Sequence, residues 1–95
     1  MMEYPVDEAW FTIDASGNAT LSENYPAEAI CVPKQVKNIN IVSITLSSST
    51  LKRIYFQKGN MIATLNSYCF GQSKVLEYVD TINLEKLAVI EPNAF

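Results

Sequence analysis

The chain has no histidine, two cysteines, three glycines, four prolines and one tryptophan among its 95 residues. Each scarcity removes a class of function. Without histidine there is no Cys-His or Ser-His nucleophile system, and most zinc sites are excluded. Cys31 and Cys69 are too few for a disulfide framework and share no CxxC spacing, so they read as buried free thiols. The glycines at 17, 59 and 71 are isolated and form no phosphate-cradling loop. Lys and Arg number seven against ten acids, which makes the chain a poor ligand for a phosphate backbone and excludes nucleic acid as the expected partner. No apolar run reaches the ~18 residues of a membrane span. MMEYPVDEAW places acids and a proline where a signal peptide needs a basic stretch and an apolar block. The carboxylates that could be drawn as acid/base pairs, Asp7 with Glu8 or Glu23 with Glu28, sit in no pattern that builds a cleft. The reading is therefore non-enzymatic, with no catalytic residue, no metal and no cofactor.

What the chain does have is an apolar fraction of 48%, enough for one small folded domain. Its charge is divided. Residues 1–29 carry six acids and no base, whereas residues 30–95 carry seven bases and four acids. In WFTIDASGNATLS, alternating apolar residues flank Asp14-Ala15-Ser16-Gly17-Asn18, a run that tolerates positive φ, which predicts a hairpin with strands at about 10–14 and 18–22. AICVP predicts a short strand stopped by Pro33. In VKNINIVSITL the apolar phase slips between Ile41 and Val42, which predicts a bulge or turn there. No stretch carries a sustained helical stripe, and no long helix is expected. Asn18-Ala19-Thr20 is an N-glycosylation acceptor pattern that chance alone supplies about once in such a chain.

Aligning the chain with itself at an offset of 25 residues reveals a repeat. Leu51 then falls on Leu76, Ile54 on Val79, Ile62 on Leu87, Ala63 on Ala88, Leu65 on Ile90, Cys69 on Ala94 and Phe70 on Phe95; Phe56 on Thr81 is the failure. Each unit offers a short extended segment, a polar connection, a second apolar turn and a closing aromatic. One such unit cannot bury its own apolar face, so the pattern predicts stacking, with parallel pairing between about 52–56 and 77–81.

The arrangement L-x-x-I, then I-x-x-L-x-x-x-x-F closing on YCF or NAF, preceded in order by GNATLS, ENYPAEA, ICVP and IVSI, resembles the BspA-like leucine-rich repeats of surface antigens. The resemblance covers roughly residues 10–95. It implies a leucine-rich-repeat solenoid, mainly β, with short parallel strands in stacked coils. An N-terminal β-hairpin cap over 1–29 would precede coils at about 30–50, 51–75 and 76–95. The first coil is shortened relative to the family, because only TLSSST separates Ile44 from Leu51. The last has no cap after Phe95, which leaves self-association through that end open.

The resemblance further implies a binding surface in place of an active site: a protein-binding or adhesion module that contacts another protein, at a cell surface or outside the cell by analogy. The outward strand positions would be Lys52, Arg53, Tyr55 and Gln57 from one unit and Glu77, Tyr78 and Asp80 from the next. Tyr55 and Tyr78 offer large contact area at low entropic cost. The plainer alternative makes them ordinary strand tyrosines, with the basic pair and the flanking acids satisfying each other across strands. Two alternatives stand beside the binding module: a structural N-terminal fragment of a longer or degenerate repeat array with no activity of its own, and a small all-β domain with no repeat.

Overall fold

A computed structural model of the chain describes residues 8–46, 50–67, 69–70, 75–92 and 94. Phe95, the predicted closing aromatic of the last unit, and residues 1–7 of the expected cap lie outside the described residues.

The first turn is built by Asp14. Its Oδ1 accepts the backbone N–H groups of Ser16 (2.9 Å) and Asn18 (3.0 Å), and its Oδ2 accepts Asn18 Nδ2 (2.9 Å). These bonds favour the carboxylate, and the one from the Asn18 backbone does most to hold the Asp14 carboxyl below its ordinary value. The turn joins β1 (Phe11–Ile13) antiparallel to β2 (Asn18–Leu21), with Phe11 opposite Leu21. Gly17 is at φ 89°, and a Cβ there would stand 2.6 Å from the Asn40 carbonyl oxygen. Only glycine fits. A short 3-10 turn, Glu8–Trp10, leads into β1, and the Trp10 ring meets Tyr25 edge-on at 5.6 Å.

β3 (Ala29–Val32) ends before Pro33, which has no N–H to continue a ladder. The chain then folds back on itself: β4 (Gln35–Val36) pairs antiparallel with β5 (Ile39–Asn40) around Lys37 and Asn38, both at positive φ. Two consecutive left-handed residues are what a tight hairpin with right-twisted arms requires. The break between β5 and β6 (Ser43–Thr45) falls at residues 41–42, where the apolar phase slips.

The remaining strands pair in parallel at separations of 24 or 25 residues. β2 pairs with β6, Asn18 opposite Ser43. β7 (Arg53–Phe56) pairs with β3, Ile54 opposite Ile30, and with β9 (Tyr78–Val79), Arg53 opposite Tyr78 and Ile54 opposite Val79. β8 (Thr64–Leu65) pairs with β10 (Val89–Ile90). Alternation then sorts the side chains. Ile30, Val32, Ile54 and Phe56 enter a core shared with Leu21, Ile44, Ile62 and Leu65, all at most 3% exposed. Arg53 and Tyr55 point the other way.

The expected leucine-rich-repeat solenoid is corrected by this topology. Among the described residues the strands form four separate small sheets, in the orders β1-β2-β6, β3-β7-β9, β8-β10 and β4-β5, and none is a solenoid. The parallel register at a 25-residue offset is present, but the strands are only two to four residues long and the stacking does not carry through the chain. The physical reason lies at Lys37–Asn38. That turn spends residues 35–40 on an antiparallel hairpin, so the segment expected to form the first coil is not built like residues 51–70. The body measures 29 × 29 × 28 Å with a radius of gyration of 12.0 Å, as a small equidimensional domain of this length should. The fold is a small mainly-β domain of several short sheets.

Candidate functional site

The seven residues expected on the binding face separate into two groups. Arg53 and Tyr55 project from the outward side of β7, and Tyr78 projects from β9 in register with Arg53. The Tyr55 and Tyr78 rings lie 5.9 Å apart between centroids, tilted by 57°. This spacing is within the range in which aromatic pairs attract. Tyr78 is 50% exposed and Tyr55 half-buried, so the pair presents one aromatic ledge with Arg53 beside it.

The other four residues are partly spent on structure. Lys52 Nζ lies 3.5 Å from Glu28 Oε1, and the Lys52 N–H donates to the Glu28 carbonyl at 2.7 Å. The ion pair is solvent-exposed and contributes little stability. Lys52 therefore turns to an acid on the β3 side, and the expected cancellation against the acids flanking Tyr78 does not include it. Gln57 Oε1 accepts the Lys34 N–H at 3.0 Å, tying the ends of β7 and β3 together. Asp80 Oδ1 accepts the Ile82 N–H at 2.9 Å, closing the turn after β9. Glu77 is exposed, and its N–H donates to the Lys52 carbonyl at 2.8 Å.

Both thiols are buried. Cys31 sits opposite Tyr55 on β3. Cys69 Sγ lies 3.9 Å from the Ala94 carbonyl oxygen, and burial pushes its thiol up to about 11 from 9.0, which keeps it protonated and unreactive at neutral pH. Asn18, in the glycosylation pattern, uses its amide on Asp14, and its Oδ1 accepts the Ser43 hydroxyl. Among the described residues no three or more acids and cysteines gather as a metal site, and no helix is long and apolar enough to cross a membrane.

Sequence reasoning missed the surface formed by Ile82, Val89 and Ile90, which are 78%, 50% and 55% exposed. The 25-residue alignment names Ile90 only as the counterpart of Leu65, and nothing in residue type shows that one member of the pair is covered and the other open. It also missed Glu28 as the partner of Lys52, a contact that becomes visible only once the register of β3 and β7 is known.

Comparison of the chain with protein-family models, with curated proteins and with solved structures finds no match. The functional reading therefore rests on the geometry of this chain alone.

Proposed function

We propose that this chain is a non-enzymatic protein-binding module that contacts another protein through the outward face of β7 and β9. The observation that carries the reading is the Tyr55–Tyr78 pair, two tyrosines from different strands held 5.9 Å apart on an exposed face with Arg53 in register beside Tyr78. Tyrosine and arginine are the residue types enriched where protein interfaces concentrate their binding energy. The ledge is positioned by parallel backbone bonds on both sides of β7 and by packing of Ile54 and Phe56 beneath it, so little ordering cost remains on binding. Lys52, Gln57, Glu77 and Asp80 form the polar surround. Gln57 ties the ends of β7 and β3 together, while Lys52 and Asp80 keep polar groups at the rim.

The test is quantitative affinity capture with the wild-type chain and with Tyr55→Ala/Tyr78→Ala as bait. A partner retained by the wild type and lost by the double variant, with the thermal midpoint nearly unchanged, supports the reading. Equal capture by both baits, or a large stability loss without a selective binding defect, refutes it.

A further inference from the structure

The register of β3, β7 and β9 fixes what stands around Arg53. Ala29, Arg53 and Tyr78 lie side by side on the three strands, and the Arg53 N–H donates to the Glu28 carbonyl at 3.0 Å, so the backbone of Arg53 is held on both flanks while its side chain is exposed. The nearby acids are engaged elsewhere or do not reach it. Glu28 Oε1 meets Lys52 Nζ at 3.5 Å, and Asp80 Oδ1 accepts the Ile82 N–H at 2.9 Å. Opposite Arg53 on β3 stands only the methyl group of Ala29, and exposed Glu77, one residue before Tyr78, forms no ion pair with it. Among the described residues the Arg53 guanidinium has no ion-pair or hydrogen-bond partner. Lys52 is the matched cation of this face and Arg53 the unmatched one.

A planar guanidinium fits a carboxylate with two parallel hydrogen bonds. The setting raises the value of such a pair above that of an open surface, because Tyr78 lies beside Arg53 in register and Tyr55 follows two residues along the strand. A ligand seated on both rings keeps water from the ion pair, which strengthens it. Spacing sets the form of that ligand. Arg53 and Tyr55 are alternate residues of one strand, so their side chains leave the same face about 6–7 Å apart, and alternate residues of an extended peptide have the same spacing. The rim sets its charge, since Glu77 and Asp80 repel additional acids. A single acid beside an apolar residue is matched, and a run of acids is not.

We propose that the ledge recognises an extended segment of its partner protein carrying one aspartate or glutamate two residues from an apolar side chain. The carboxylate pairs with the Arg53 guanidinium, and the apolar group seats on Tyr55 and Tyr78. This rests on the ledge reading above and adds the chemistry of the partner, with Arg53 as the residue that sets specificity.

Panning a phage-displayed library of random short peptides against the wild-type chain, Arg53→Gln and Tyr55→Ala/Tyr78→Ala tests the proposal. The wild type should enrich peptides with an acid two residues from an apolar side chain. Arg53→Gln, at an exposed position, should keep the thermal midpoint and enrich peptides without that acid. For the strongest wild-type peptide, replacing its acid by the amide should weaken binding to the wild type about tenfold and leave binding to Arg53→Gln unchanged. A peptide of consecutive glutamates should not bind. Absence of any retained peptide, binding of the glutamate run, or the same acid preference with Arg53→Gln would overturn the assignment. Peptides retained through the tyrosines without an acid would overturn it and leave the ledge reading standing, whereas retention of the same peptides by Tyr55→Ala/Tyr78→Ala would overturn the ledge reading itself.

Discussion

Residues 51–70 and 76–94 carry the same apolar pattern 25 positions apart, yet they live in different surroundings. Leu51 and Ile54 are each 1% exposed, while their counterparts Leu76 and Val79 are only half-buried. Leu65 is 0% exposed and its counterpart Ile90 is 55%. Backbone geometry is shared, because the two segments are hydrogen-bonded in register; what differs is the number of sides on which each is covered. Among the described residues β7 has β3 and β9 on either flank while β9 has β7 alone; β8 and β10 pair only with each other, but the β6 region packs against the β8 side, where the Leu46 N–H donates to the Cys69 carbonyl. Equal residue types in equal strands therefore stabilise unequally, since the apolar contribution follows the area removed from water.

The widest test of this contrast is a pair of truncations. Leu65→Ala removes atoms from a filled core and should cost about 2–5 kcal/mol. Ile90→Ala, at the matching position, should cost less than about 1 kcal/mol. Urea unfolding of both variants measures the difference, and equal losses would break the comparison.

Gly17 sharpens it from another direction. The Gly17 carbonyl accepts the Val42 N–H at 2.9 Å, so this turn too has a neighbouring segment closely packed on it. Gly17→Ala imposes an unfavourable φ and a 2.6 Å approach to the Asn40 oxygen. It should lower stability by about 1–3 kcal/mol, measured the same way. Gly59 is also at positive φ (87°), but the nearest neighbour to a Cβ there would be the flexible Lys34 side chain at 3.4 Å, so Gly59→Ala should cost less than Gly17→Ala.

A smaller effect links the two segments through pH. The Cys69 thiol of the inner segment lies against the Ala94 carbonyl of the outer one, and burial raises it from 9.0 to about 11. A raised folded value means the contribution is fully present below about 9 and is lost as pH rises through about 11. The wild-type thermal midpoint should therefore fall more steeply between those pH values than that of Cys69→Ala. Parallel curves would show that the outer segment does not bury the thiol.

The smallest effect belongs to the exposed Asp14 turn, whose hydrogen bonds are local. Its carboxyl is held below 3.8 by bonds from Asn18, so its stabilisation is present above that pH and is lost as pH falls through the lowered value. Asp14→Ala should have a slightly lower midpoint at neutral pH, with the gap to wild type closing in acid.

Part of the fold is readable from residue type. Asp14 to Asn18 marks the first hairpin because side-chain acceptors and a glycine stand together there. Pro33 marks the end of β3, and the leucines and isoleucines 25 apart indicate parallel partners. The Lys37–Asn38 turn is not readable: no glycine flags it, and Asn38 alone does not announce two consecutive left-handed residues. That local reversal is what defeats the solenoid expectation. At the candidate site, the alternation of β7 places Arg53 and Tyr55 outward, but the engagement of Gln57 with Lys34 and of Asp80 with Ile82 depends on which loop lies beside which strand. Sequence periodicity carries no such information. The exposure of Val89 and Ile90 is hidden for a related reason, since burial is a property of neighbours and the repeat pattern is the same in covered and uncovered segments.

Amide hydrogen exchange, followed residue by residue, tests the central contrast most directly. The N–H groups of Asp80 and Glu91, bonded to Ile54 and Leu65, should exchange slowly, while those of Val79 and Ile90 exchange fast. Protection of Val79 and Ile90 as strong as that of Asp80 and Glu91 would contradict the account.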